Sequence, residues 1–191
     1  AAAEFQANGY LETGMGAIAR RAGLSTRTIY ELVPSKAELF EMVVADRSSK
    51  FMLAVDESSL DDLAPLEALT QILIAYGILA LSREAIAFTR LVIAEGNRFP
   101  EIAEAFHAKA LEKINRVMET WLTRQMHHRN LVLTNPGSAS EVLRAMMIME
   151  PQRAALLGRS AVPSVEEIAK RAEACARLFL NGCQISGRDA A

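Results

Sequence analysis

The segment of residues 18–40 reads IARRAGLSTRTIYELVPSKAELF and constrains the fold more than any other part of the chain. It begins with apolar residues spaced for one face of a short helix, which Gly23 ends because a residue just past a helix end often needs a positive φ. A second short helix is predicted from about Thr26 to Leu32, with Ser25 or Thr26 as its cap. Two short helices joined by a glycine-bearing turn are typical of a helix-turn-helix.

The second helix of this motif has the size of a helix that enters the major groove of DNA. It is expected to bury Ile29 and to leave its polar side chains exposed. We expect Thr26, Arg27 and Thr28 to reach base edges, since arginine donates to guanine and threonine methyl groups contact thymine. Arg27 can also be an ordinary exposed helix arginine, and that alternative stays open.

The composition is that of a helical globular protein. The 191 residues are 51% hydrophobic but only 6% aromatic, which favours packed helices. Apolar runs fall short of the ~18 residues that a membrane span needs, and a signal peptide is not visible, so we expect a cytoplasmic protein without a membrane anchor. Because Ala1 already lies in a predicted helix, we expect N-terminal residues to be missing. Cys175 and Cys183 are too far apart on one helix for a disulfide.

Hydrophobic periodicity and helix-boundary residues predict an all-α chain. Gly9 is expected to end the first helix, and Ser35 with Glu38 predicts a capping box for the fourth. We expect a loop over Thr134–Ser140 and a kink at Pro151 in the helix that follows. The predicted helices span about 1–8, 15–22, 26–32, 36 to the polar run 56–62, from 65, from 82 to 95, from 100, 138–157 and 165–181.

A set of ordered positions over the first 40 residues follows one pattern. These positions are Phe5, Gly9, Tyr10, Thr13, Ile18, Ala19, Ala22, Gly23, Ile29, Tyr30, Ser35, Lys36, Leu39 and Phe40. Their identities and spacing resemble the TetR/AcrR family of bacterial transcriptional repressors. The later segment of residues 90–101, RLVIAEGNRFPE, resembles more loosely the ligand domain of one branch of this family.

The resemblance implies an all-α homodimer. Each subunit would have a helix-turn-helix DNA-binding head, residues 1–45, and a ligand-binding and dimerisation body, residues 46–191. Dimers of this family bind palindromic operators, and a small molecule in the body changes the spacing of the two heads and releases the DNA. The resemblance also implies phosphate contacts at Thr13, Tyr30 and Lys36. Tyr30 can instead be half core, and Lys36 can be a solvated lysine.

Some features of the head depart from the pattern of a DNA-binding domain. Residues 1–50 carry as many acidic as basic side chains, and Glu31 stands where a basic or aromatic residue is typical. Gly16 removes a long side chain from the second helix. A carboxylate near phosphate is repulsive unless it is paired or accepts from a cytosine amine. An alternative function is therefore a helical dimer that binds a ligand or a protein and no longer binds DNA.

The body carries methionine and aromatic residues at helical spacing. Methionine suits a pocket that adapts its shape, so a largely apolar effector is favoured. The same residues can be plain core, and the polar groups between Arg90 and His107 can be surface pairs and helix caps. The predicted ligand-binding residues are Tyr76, Phe88, Phe106, Met118, Trp121, Met146, Met147 and Met149.

Two C-terminal helices, near 138–158 and 164–183, carry apolar faces that two subunits can pair as a four-helix bundle. The alternative is that these faces form only the core of one chain. The residues that define the two faces are Val142, Met146, Leu156, Leu157, Ile168, Cys175, Leu178 and Phe179.

Catalytic and metal-binding patterns are missing from the sequence. His127 and His128 are adjacent and therefore point about 100° apart on a helix, unlike zinc ligands four residues apart. A Gly-rich phosphate loop, a nucleophile elbow and a paired-carboxylate motif are all missing. We therefore predict that the chain is not an enzyme and that it uses neither a metal ion nor a cofactor.

Overall fold

The computed structural model describes residues 1–55, 60, 62–128 and 130–183, and within these residues the chain is helical and has no strand. A π-helical turn, His107–Leu111, joins α7 to α8 where the sequence predicts one unbroken helix. The helices are α1 (Ala2–Glu12), α2 (Met15–Arg21), α3 (Thr26–Leu32), α4 (Lys36–Ala54), α5 (Pro65–Ala80), α6 (Arg83–Glu95), α7 (Pro100–Phe106), α8 (Glu112–His127), α9 (Pro136–Leu156) and α10 (Val165–Cys183).

Local capping residues set several of the helix ends. Gly9 interrupts α1 with φ 76° and ψ 176°, and a short helical stretch then continues to Glu12, so the helix extends beyond its predicted end. The capping box is present at the start of α4, where the Glu38 N–H donates to the Ser35 Oγ at 3.1 Å. Gly158, with φ 68°, follows the last turn of α9.

The start of α9 corrects the loop that the sequence predicts over Thr134–Ser140. The helix begins at Pro136, and the Asn135 side chain caps it by accepting the Ser138 N–H at 3.0 Å. Proline lacks only an N–H that has no partner in the first helical turn, so it suits this position. Pro136 and Gly137, interpreted as loop residues, are therefore the first residues of the helix.

The same helix continues through Pro151, and an arginine compensates for the hydrogen bond that the proline cannot make. Proline removes the N–H that would bond the carbonyl four residues earlier, that of Met147. Arg171 on α10 supplies the missing donor: its Nε donates to the Met147 oxygen at 2.6 Å, and its Nη2 donates in addition to the Met146 oxygen at 2.7 Å. These two hydrogen bonds tie α10 to the middle of α9.

The chain divides into two compact units. The first unit consists of Ala1–Ser49 and Arg83–Glu112, and the second of Lys50–Ser82 and Lys113–Ala191. The α6 and α7 helices therefore belong with the N-terminal helices, although the sequence assigns them to the body. Periodicity identifies the apolar face of a helix but not the helix that covers it. The functional division between residues 45 and 46 stays a prediction.

Aromatic rings form the core of the first unit. The Phe40 ring on α4 lies 5.4 Å from the ring of Phe5, 5.6 Å from that of Tyr10 and 5.5 Å from that of Phe88, measured between centroids. Edge-on and tilted aromatic pairs of this kind add about 0.5–1.5 kcal/mol each to the burial of their area. Because Phe88 lies on α6, this helix completes the core of the N-terminal helices.

The second unit has an aliphatic and methionine-rich core in which α5 packs against α9 and α10. Gly77 permits this packing, since a Cβ there would lie 2.6 Å from the Met147 Cε and 2.7 Å from the Ile168 Cγ2. Replacing Gly77 would therefore push α5 away from both helices.

None of the described helices is by itself both long and apolar enough to cross a membrane, and the bent pair α5 and α6 meets the length and composition criteria only when the two are joined.

Candidate nucleic-acid interface

The turn between α2 and α3 is fixed by main-chain hydrogen bonds. Gly23 adopts φ 68°, its N–H donates to the Arg20 oxygen at 3.1 Å, and the Leu24 N–H donates to the Ala19 oxygen at 2.9 Å. This pair of bonds is the Schellman arrangement, which needs a residue in the left-handed region. The glycine turn predicted from the sequence is therefore present and rigidly hydrogen-bonded.

Two residues of α3 hold it against α2. Ser25 caps the helix by accepting the Thr28 N–H on its Oγ at 3.0 Å. Ile29 is 5% exposed and packs in the same hydrophobic cluster as Ile18 and Ala19 of α2. With its start capped and its middle buried, α3 presents a fixed outer face.

The outer face of α3 carries three exposed side chains of the predicted set, Thr26, Arg27 and Tyr30. Thr28 is half-buried, and its hydroxyl lies 2.8 Å from that of Ser25. Arg27 is 89% exposed, and its Nε donates to the Glu31 Oε1 at 2.9 Å. An exposed pair one turn apart contributes only about 0.3–0.5 kcal/mol, so a competing guanine or phosphate can displace Glu31.

The Lys36 side chain is hydrogen-bonded to the main chain inside the first unit. Its Nζ donates to the Tyr10 oxygen at 2.8 Å and to the Leu11 oxygen at 3.3 Å, and it lies 4.5 Å above the centre of the Tyr10 ring. An ammonium has three donors, so one of them remains for an outside acceptor. Lys36 therefore caps the C-terminal end of α1, a role that the sequence did not indicate.

The structure corrects the prediction for Thr13. Its side chain is 1% exposed, and its Oγ1 donates to the Gly9 oxygen at 2.6 Å and lies 3.1 Å from the Glu4 oxygen. The hydroxyl is thus bonded to the main chain at the point where Gly9 interrupts α1. This side chain has no surface from which to reach a phosphate.

Glu95, at the end of α6, caps the second stretch of α1. Its Oε1 accepts the Tyr10 N–H at 2.9 Å and its Oε2 accepts the Leu11 N–H at 2.8 Å. The Tyr10 hydroxyl donates to the Glu101 Oε1 at 3.3 Å, and burial, with this carboxylate, raises the pKa of Tyr10 to about 12. Among the polar residues near the α6–α7 junction, Glu95 is therefore a helix cap, which was one of the two interpretations left open.

The predicted effector residues do not form one cluster. Phe88 and Phe106 belong to the hydrophobic cluster of the first unit. Met149 is 57% exposed. The other five belong to or pack against the core of the second unit: Tyr76, Met118, Trp121, Met146 and Met147. The role of these residues in binding an effector stays a prediction.

A surface groove of about 330 Å³ lies on the second unit, and none of the predicted effector residues lines it. Its lining residues are Ala64, Leu66, Glu67, Thr70, Gln71 and Glu173.

The predicted dimer faces are divided between core and surface. Ile168, Cys175 and Phe179 are buried in the core of their own chain, so for them the intrachain alternative is correct. Met146 and Leu156 are half-buried. Large apolar side chains remain exposed on both helices: Val142, Met149 and Leu157 at α9, and Val165 and Leu178 on α10.

Two family profiles cover most of the chain. Residues 1–43 match the profile described as bacterial regulatory proteins, tetR family. Residues 67–182 match the profile described as AefR-like transcriptional repressor, C-terminal domain. The comparison with curated protein sequences gives no match.

Solved structures share the fold over nearly the whole chain. A protein assigned to the TetR family from Mesorhizobium loti is 24% identical, with a TM-score of 0.84 over 96% of this chain and 93% of that one. A TetR-family regulator from Pseudomonas syringae is 22% identical, with a TM-score of 0.75 over 97% and 94%. The flavonoid-responsive regulator FrrA is 28% identical, with a TM-score of 0.75 over 94% and 91%.

Proposed function

The chain belongs to the TetR family of bacterial transcriptional regulators, and from that premise we propose that it is a ligand-responsive repressor. In this proposal a cytoplasmic homodimer binds a palindromic operator, and a small-molecule effector releases it. The observation that carries the proposal is that α3 is capped at its start and buried at Ile29, so that Thr26, Arg27 and Tyr30 are exposed together. The proposed role is non-catalytic, because the matched family and the similar solved structures are transcriptional regulators.

We assign different tasks to the residues of the outer face. Arg27 is proposed to read a guanine, because its guanidinium fits the two acceptors of that base edge, and Thr26 to contact a thymine methyl group. Thr28 is proposed to contribute little to base recognition, since its hydroxyl is hydrogen-bonded to that of Ser25. Tyr30 and Lys36 are proposed to contact phosphates, which set register and orientation.

Dimerisation is proposed through α9 and α10. The exposed apolar side chains on these helices, among them Leu178 at 67% exposure, support this assignment, because such side chains gain by burial in a partner. We expect Leu178→Glu to convert the dimer to a monomer in sedimentation velocity. Ile93→Glu is the matched control, since Ile93 on α6 is also 67% exposed. A Leu178→Glu protein that remains dimeric would count against this surface.

The effector is proposed to be a largely apolar organic molecule held by the second unit. The methionine-rich core supports this, as does the 28% identity to a regulator named for its response to flavonoids. Binding would favour a conformer in which the two heads are wrongly spaced for the operator. A ligand can shift such an equilibrium only by its differential affinity for the two conformers.

The test is fluorescence anisotropy of the full-length protein with labelled DNA from upstream of its own gene. We expect binding that a scrambled duplex does not compete away. Arg27→Ala should weaken this binding by about 1–3 kcal/mol and relax the preference at one base pair. The control is Arg153→Ala, since Arg153 is also an exposed arginine paired with a glutamate on its own helix, Glu150. Equal weakening on both duplexes would assign Arg27 to a phosphate instead.

The second candidate is a helical dimer that binds a ligand or a protein without binding DNA. It is favoured by the Arg27–Glu31 pair on the outer face of α3, beside Leu32, which is 67% exposed. The anisotropy experiment separates the two candidates. Weak binding that is equal for both duplexes and disappears as salt is raised would support the second.

A further inference from the structure

Two buried polar side chains of the second unit, Gln125 and Ser140, have hydrogen-bond partners. The Ser140 hydroxyl, fully buried, is hydrogen-bonded to the Asn115 side chain, and the Asn130 Nδ2 donates to the Gln125 Oε1 at 2.7 Å. Two buried side-chain nitrogens of the described residues are exceptions, the Trp121 Nε1 and the Arg144 Nε, which have no hydrogen-bond partner. Unpartnered buried donors are rare, because each has lost its water without gaining an acceptor.

Arg144 is the more unusual of the two groups. It lies on α9 between Leu143 and Met147, which are both fully buried. Its guanidinium donates to the hydroxyl oxygen of Tyr76 on α5. Within the described part of the chain, none of the ion pairs involves Arg144. Arg144 is half-buried, and because its Nε is shielded from water, an opposing negative charge would favour it.

Tyr76 does not act as that counter-ion. Burial raises the pKa of Tyr76 to about 12, although the charge and the hydrogen bond of Arg144 act in the opposite direction. The phenol is therefore neutral near pH 7, and because its oxygen accepts from Arg144, its O–H remains a donor. Tyr76 and Arg144 thus both offer hydrogen atoms, and Tyr76 belongs to the hydrophobic cluster of the second unit.

We propose that the second unit binds an apolar organic anion, whose carboxylate, sulfonate or phenolate oxygen pairs with Arg144 and whose apolar part lies in the methionine-rich core. This inference rests on the proposed function, since it specifies the chemical class of the effector. An acidic oxygen supplies what Arg144 and Tyr76 lack, namely an acceptor and a negative charge. Met118 and Met147, with flexible thioether chains, can move to admit the apolar part.

The experiment uses two fluorescent probes that differ mainly in charge. 1-Anilinonaphthalene-8-sulfonate carries a sulfonate, and N-phenyl-1-naphthylamine is the same ring system without it. Trp121 is the one tryptophan of the chain, so energy transfer from it selects probe bound near the core of the second unit. We expect the wild-type protein to bind both probes with energy transfer. Absence of energy transfer to the sulfonate probe would overturn the proposal.

Arg144→Met keeps much of the side-chain volume and removes the charge. We expect it to weaken binding of the sulfonate probe at least tenfold and to change binding of the neutral probe less than threefold. Its melting temperature should be unchanged or higher, because the substitution breaks no ion pair among the described residues and an apolar group suits the surrounding core. If this variant does not fold, Arg144→Gln tests the same expectation. Arg153→Met, exposed on the same helix, is the control and should bind both probes normally.

Each result bears either on the anion site or on the DNA-binding proposal. Unchanged affinity of Arg144→Met for the sulfonate probe, or equal losses for both probes, would overturn the anion site and leave the DNA-binding proposal untouched. Selective loss of the sulfonate probe supports the site even if the anisotropy experiment finds no operator. The two proposals can therefore fail separately.

Discussion

Glu95 makes the sharpest prediction, because one carboxylate caps two main-chain N–H groups of α1. A hydrogen bond to a charged group contributes about 1.5–3 kcal/mol. The bond to Leu11 is exposed, so water replaces much of it, whereas the Tyr10 N–H is partly buried and would be left without an acceptor. We therefore expect Glu95→Ala to lower the free energy of unfolding of the first unit by about 2–3 kcal/mol.

Gly9 allows this value to be checked by a double-mutant cycle. A Cβ on Gly9 would lie 2.6 Å from the Glu95 Oε1, and φ 76° with ψ 176° is a conformation that essentially only glycine adopts. Gly9→Ala should therefore cost about 1–3 kcal/mol in backbone strain and also displace the carboxylate from its two donors. With Glu95 already removed, only the strain remains. The coupling energy between the two substitutions is expected to be about 2 kcal/mol.

The assay is native-state hydrogen exchange of the Tyr10 and Leu11 amides, which reports on the cap itself rather than on the second unit. Glu104→Ala is the control, since Glu104 is an exposed glutamate on α7 of the same unit. We expect faster exchange at both amides in Glu95→Ala and no change in the control. Additive effects of the Gly9 and Glu95 substitutions, within about 0.5 kcal/mol, would refute the reasoning.

Three further predictions concern stability. Gly16→Ala should raise the free energy of unfolding by about 0.5 kcal/mol in urea titrations, because the new Cβ lies an ordinary 3.7 Å from its nearest neighbour on α3. Arg171→Met should lower it by about 1–3 kcal/mol by leaving the Met147 carbonyl of α9 without a donor, whereas Arg177→Met, which loses only an exposed pair one turn away, should cost less than about 0.5 kcal/mol. Burial raises the pKa of Tyr76 to about 12, so the contribution of the neutral phenol to the free energy of unfolding is fully present below about pH 10 and is lost as the pH rises towards 12. Tyr76→Phe should therefore reduce the loss of unfolding free energy that is measured between about pH 8 and about pH 11.

The helix-turn-helix could be predicted because its determinants are local. The bounds of α3 agree with the sequence prediction, and the capping residue Ser25 and the turn residue Gly23 lie within a few residues of the groups they satisfy. A helix cap or a Schellman turn is determined within about six residues, so it can be read from one sequence. The capping box at Ser35 is a further case of the same kind.

The packing partners of α6 could not be predicted, because they depend on contacts distant in sequence. Glu95 meets Tyr10 across 85 residues, and no spacing rule connects them. The sequence predicts phosphate contacts at Thr13 and Lys36 because hydroxyl and ammonium groups both suit phosphate. Only the structure shows that both side chains also bond the main chain of the N-terminal helices, and that Thr13 is buried by doing so. Polar residues near a break in a helix are therefore ambiguous from sequence alone.

The cap on α1 has a consequence for regulation. Glu95 bonds α1, whereas α3 is held by different contacts, the Ser25 cap, the Gly23 turn and the burial of Ile29. A shift of α6 by little more than the length of a hydrogen bond would open the cap without loosening α3. In the proposed function, an effector that moved α6 would then change where the helix-turn-helix is held rather than its own structure, as release by altered spacing of two intact heads requires. If Glu95→Ala also removed the hydrogen-exchange protection of α3, the cap on α1 and the contacts of α3 would not be independent. The effector would then have to act by unfolding α3.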